Sequence, residues 1–90
     1  EMAAVEKLKE SIAKEMGTYG KNEVKNAVES GAAESLLLIS EMTKESEGLE
    51  LLEMALKNRT EVIEISSHHH GGEMLIGLGG VAVVLRYKLT

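Results

Sequence analysis

The sequence predicts an α/β fold, a single three-layer α/β/α sandwich with a small mixed sheet spanning residues 1–90. Three observations lead there. Segments with apolar residues every three or four positions alternate with short apolar runs, the pattern of helices packed on both sides of a sheet. Glycines stand where these segments end, at Gly17, Gly31 and Gly79–Gly80. The 90 residues are 43% apolar yet contain no Phe, Trp, Pro or Cys, so the core must be aliphatic and single.

In chain order, Val5, Leu8, Ile12 and Met16 recur at helical spacing and predict a first helix over 2–16, stopped by Gly17. Asn22 is an N-cap candidate for a second helix, with Glu23 favourable in its first turn, Val24, Ala27 and Val28 as its buried stripe, and Gly31 as its stop. The unbroken run Leu36–Ile39 reads as a strand covered on both faces. The polar stretch 40–48 reads as a loop, with Met42 a candidate for exposure at a partner surface. Leu49, Leu52, Ala55 and Leu56 form a third helical stripe, and Val62, Ile63 and Ile65 a second strand. Residues 66–72 read as a turn and 73–78 as a short helix, broken by Gly79 and Gly80. The last strand is predicted over 81–89. Val81, Val83, Leu85, Tyr87 and Leu89 share one face; on the other, Ala82 and Val84 give way to Arg86 and Lys88, so burial should fade toward the end.

Composition excludes several function classes. Ten Lys and Arg against 15 Asp and Glu leave a net charge of −5, a poor field for gripping a phosphate backbone. Without cysteine there is no disulfide framework and no thiolate metal site, which fits a cytoplasmic location. No apolar run approaches the length of a membrane span, and no signal-peptide pattern is present. The chain begins at Glu1, which reads as a fragment or a processed end.

Three motifs invite a chemical reading. His68, His69 and His70 are metal-ligand types, but neighbours in an extended loop point apart, and Glu73 is the one acid close by. Gly77, Gly79 and Ala82 spell a dinucleotide fingerprint, yet they follow a helix and open a strand, the reverse of what the mechanism needs. Ser66, Ser67, His69 and Glu73 supply the residue types of a hydrolase triad, but within eight consecutive positions and without a nucleophile elbow. The residues therefore predict no catalytic group, no metal and no cofactor, and by themselves name no function.

Two segments carry a family resemblance. Tyr19-Gly20, Glu23-Val24, Ala27 and Gly31-Ala32 lead into Leu36–Ser40; Ser66-Ser67, His69, Gly71–Leu75 and Leu78–Tyr87 close the chain in Leu85-Arg86-Tyr87. Together these resemble the carboxy-terminal domain of the Pelota family, relatives of the class I release factors. Met74 stands where that family commonly has Gln, and Gly79 where Thr is often seen. Release factors usually carry longer insertions here, so the short loops favour Pelota. The resemblance implies a ribosome-rescue module that does no chemistry. It implies three partners: an elongation-factor-like GTPase, an ABC-type recycling ATPase, and the ribosome in the context of the full-length protein. His69, Gly72, Glu73 and Arg86 are the partner-contact candidates that follow, with the loop 40–48 a second candidate region. Gly20, Asn22 and Glu23 also resemble the kink-turn-binding ribosomal proteins, a related fold in which such a segment reads RNA. Asn26 and Ser30 stand where that family tends to carry basic residues.

Overall fold

The computed structural model describes residues 2–88. The helices are α1 (Met2–Ala13), α2 (Lys21–Glu29), α3 (Ser46–Lys57) and α4 (His70–Gly77); the strands are β1 (Gly17–Tyr19), β2 (Ala33–Ile39), β3 (Glu61–Ile65) and β4 (Val81–Leu85). A 3-10 turn, Ser40–Lys44, follows β2. The sheet order is β1-β4-β2-β3. β4 pairs antiparallel with β1 and β2, whereas β2 and β3 run parallel. The predicted mixed sheet is thus present.

The run in β2 explains the three layers. Successive strand residues point to opposite faces, so an unbroken apolar run needs cover on both. Leu36 and Leu38 join Val24, Val28, Leu51, Ala55, Val81 and Val83 under α2 and α3. Leu37 joins Val5, Leu8, Leu75, Ala82 and Val84 under α1 and α4. All five residues of β4 are buried, because β4 lies inside the sheet between β1 and β2. The expected fading of burial begins only after the strand ends.

The register gives the sheet two distinct ends. Tyr19, Leu38 and Ile65 lie with Val81 or Ile39 at the upper end; Gly17, Ala33 and Glu61 lie with the close of β4 at the lower. α2 and α3 therefore start at the upper end and run down. α4 connects the top of β3 to the top of β4, two strand positions away. Eight helical residues span about 12 Å and two strand spacings about 10 Å, so this helix crosses the strands instead of running along them.

Several expectations are corrected. α1 stops at Ala13, not at residue 16: Glu15 takes a left-handed conformation (φ 61°), and Met16 leaves the helix to accept the Leu85 amide at 2.8 Å. β1 went unpredicted because three residues with a half-exposed Tyr19 carry no apolar run; backbone pairing to β4 makes it a strand. The N-cap of α2 is Gly20, with no side-chain cap, and Asn22 falls inside the first turn. Part of the expected loop 40–48 is the 3-10 turn and the start of α3, and Met42 is buried at 4% exposure against Val81, Val83 and Leu51. α3 buries Gly48, Leu51 and Ala55, leaving Leu49 and Leu56 outside the core. α4 begins at His70, three residues early. β4 ends at Leu85, so Tyr87 is half exposed; the expectation for Leu89 lies outside the described residues.

Candidate docking site

The structure gathers three of the four partner-contact candidates, His69, Gly72 and Glu73, at the upper end of the sheet and leaves Arg86 at the lower. His69 is the N-cap of α4: its Nδ1 accepts the Gly71 amide at 2.9 Å, and its own amide donates to the Ser66 carbonyl at 3.0 Å. Imidazole in the capping role satisfies one of the orphan amides of the first turn. Gly72 is buried, and a Cβ there would overlap the Ser66 carbonyl oxygen. Its place in the motif is close packing of the 66–69 turn on the helix. Glu73 is exposed in the first turn of α4, where its charge favours the helix N-terminus, and lies 4.0 Å from His70 Nδ1.

A second turn is tied to this one. Ser67 Oγ donates to Glu41 Oε2 at 2.6 Å, and Ser40 Oγ donates to the Ile65 carbonyl at 3.4 Å. The Ser67 hydroxyl, and then Glu41's own backbone amide, hold the Glu41 carboxyl below its ordinary pKa. The loop after β2 and the loop after β3 thus form one hydrogen-bonded surface above the parallel strands. Sequence reasoning missed this tie, since a glutamate and a serine 26 positions apart carry no local signal.

Gly20, Asn22 and Glu23 begin α2 at the same end. Gly20 adopts φ 91° and its amide donates to the Val81 carbonyl at 3.2 Å, while Asn22 and Glu23 are exposed. The cations beside them are engaged: Lys21 meets Glu47 and Lys25 meets Glu50, each at 2.9 Å, bridging α2 to α3. Hydrogen bonding to Glu47 raises the Lys21 pKa, and hydrogen bonding to Glu50 raises that of Lys25. Lysines neutralised in this way offer little to a phosphate backbone.

Arg86 stands apart from the others at the lower end. Its Nε donates to the Ala33 carbonyl at 3.1 Å, and its Nη2 donates to the carbonyls of Asn58 at 3.3 Å and Arg59 at 3.1 Å. The guanidinium fork closes the α3–β3 turn onto the start of β2, at a position where Arg59 holds φ 57°. The length of β2, about 23 Å, separates it from His69. Among the described residues no group of three or more His, Asp or Glu is placed to hold a metal ion. Gly77 ends α4 and Ala82 lies in β4, so the dinucleotide pattern does follow a helix and open a strand.

Comparison with known proteins adds to this geometry. Residues 1–89 match the family model described as eRF1 domain 3. A Pelota homolog of Pyrococcus horikoshii is 45% identical over 93 residues, covering 99% of this chain and 26% of that protein. A model of ribosome-bound archaeal Pelota and ABCE1 aligns at 40% identity with a TM-score of 0.83, over 98% of this chain and 26% of that one. Dom34 of S. cerevisiae, described as a translation termination-like factor involved in RNA quality control and interacting with Hbs1, aligns at 28% identity with a TM-score of 0.88, over 98% and 27%. The chain therefore spans about a quarter of the length of these relatives.

Proposed function

This chain belongs to the eRF1 domain 3 family and resembles its Pelota members, and on that premise we propose that it is the non-catalytic docking domain of a cytoplasmic ribosome-rescue factor. Its partners in this reading are an elongation-factor-like GTPase and an ABC-type recycling ATPase, with the ribosome engaged by the full-length protein. The family match across residues 1–89 carries the reading. The archaeal relative placed on the ribosome with ABCE1, and the yeast relative interacting with Hbs1, support it.

The proposed docking surface is the upper end, where His69 caps α4 and Glu73 is exposed in its first turn, at the loop end of a rigid sheet, a common arrangement for contact residues. Gly72 shapes that surface from beneath. Arg86 belongs to a second contact region at the lower end. The acidic net charge suits partners with basic patches, for which it steers encounter.

NMR titration of the isotope-labelled domain tests this against the GTPase and the ATPase of the same organism, with a kink-turn RNA in parallel. The expected result is localised shifts at the upper end with the proteins and none with RNA. Shifts at Gly20–Glu23 with RNA and silence with both proteins would overturn the proposal. Glu73→Lys is the informative variant because its side chain is exposed; His69→Ala also removes a helix cap, costing about 1 kcal/mol of stability.

A further inference from the structure

Three features meet along one side of the molecule. The first is an open sheet edge: among the described residues β3 pairs with β2 alone, so its outer backbone groups have no strand partner. The second is apolar surface. At about 100° per residue, Leu49, Leu52 and Leu56 fall within about 60° of one another on α3. Glu47 and Glu50 occupy the flank turned to α2, as their lysine partners show, so the leucines lie on the opposite flank, beside β3. Leu56 is 82% exposed and Leu49 50%. Val62, 40% exposed, is paired with Leu36 and so lies on the α3 side of the edge strand. The third is charge. Glu64 follows Val62 on the same side of β3, and Glu53 borders the leucine stripe; both are exposed and carry no ion pair among the described residues. The nearby cations, Lys57 and Arg59, sit at the α3–β3 turn, away from the C-terminal half of the strand.

We propose that this edge receives an extended, basic segment of a partner protein as a fifth strand. On the α3 side of the added strand, an apolar residue beside Val62 covers Leu52, Leu56 and Val62, and a lysine or arginine two positions away, beside Glu64, meets Glu64 and Glu53. Strand addition satisfies both the backbone edge and the apolar flank, whereas a helix satisfies only the flank. A second copy of this chain is disfavoured, because joining two β3 edges juxtaposes Glu61 and Glu64 of both copies in a protein of net charge −5. The same glutamates keep the edge from self-pairing and leave it open to a basic chain. The inference does not depend on the GTPase and ATPase proposed above, and concerns a different face from the His69–Glu73 turn.

The probe is a capped octapeptide, Val-Thr-Lys-Thr-Val-Thr-Lys-Thr, which sets valine and lysine in turn on one face of the strand, titrated into the isotope-labelled protein. Its glutamate-for-lysine counterpart is the control. The expected result is shifts confined to residues 61–65 and 49–56, slowed amide exchange in β3, and no binding of the acidic peptide. Leu56→Asp and Glu64→Lys, both surface changes, should each weaken binding about tenfold with unchanged circular dichroism and melting temperature. Silence of β3 at saturating peptide overturns the proposal. So does equal binding of the acidic peptide, helix formation by the bound peptide, or a concentration-dependent β3 spectrum without peptide, which would make a second copy the occupant.

Discussion

Gly48→Ala sets helix propensity against tertiary packing, and the two predict opposite signs. Gly48 lies in the first turn of α3, where replacing glycine with alanine gains up to about 1 kcal/mol of intrinsic helix preference. In the fold it is buried beside the 3-10 turn, and an added Cβ would overlap the Met42 carbonyl oxygen and stand 2.5 Å from its carbon. The obstacle is backbone that cannot rotate aside, so the turn must shift as a unit, an overpacking cost of about 3 kcal/mol. The net expectation is a loss of about 2 kcal/mol. For a domain of this size that lowers the melting temperature by roughly 8–16 °C. It moves the urea midpoint down by about 2 M if the slope is near 1 kcal/mol/M. Gly77→Ala is the paired control. It closes α4 with nothing within 4 Å of its added Cβ, so it should be neutral or stabilising by about 0.5 kcal/mol. Urea unfolding followed by circular dichroism measures both variants. A Gly48→Ala protein as stable as its parent would refute the packing argument.

Other outcomes follow from the same structure. Leu36→Ala and Leu37→Ala open cavities on opposite faces of the sheet, and each should cost about 3 kcal/mol; a large asymmetry in urea unfolding would contradict a sheet covered on both sides. Arg86→Lys removes the fork that reaches three carbonyls and should cost about 1–2 kcal/mol by thermal melting. The folded Glu41 carboxyl has a pKa below its ordinary 4.5, so its contribution to stability is present above pH 4.5 and is lost as pH falls through the folded value. Ser67→Ala should therefore lower the melting temperature at pH 7 more than at pH 3. A difference that is constant with pH would show that the Ser67–Glu41 bond is not linked to proton binding.

The sequence by itself determined the layered class, because an unbroken apolar run at Leu36–Ile39 between helical stripes demands cover on both faces. It also determined the family, through side chains and glycines whose reasons are local: His69 caps α4, and Gly72 admits the preceding turn. Tertiary structure decided the rest. β1 exists only because β4 supplies backbone partners to Gly17–Tyr19, and α1 ends early because Met16 is drawn to the same strand. Helical spacing placed Leu49 and Leu56 in the core, since periodicity reports that apolar residues share a side without saying which side meets the sheet. Gly48 packed on the Met42 backbone and the burial of Leu51 and Ala55 under the sheet set the face of α3, with Glu47 and Glu50 turned to the α2 lysines, leaving the leucine flank along the open edge. The candidate contacts were legible as residue types but not as a place. His69 and Arg86 lie 17 positions apart in the chain and at opposite ends of the sheet, because β4, which carries the chain between them, runs antiparallel to β2.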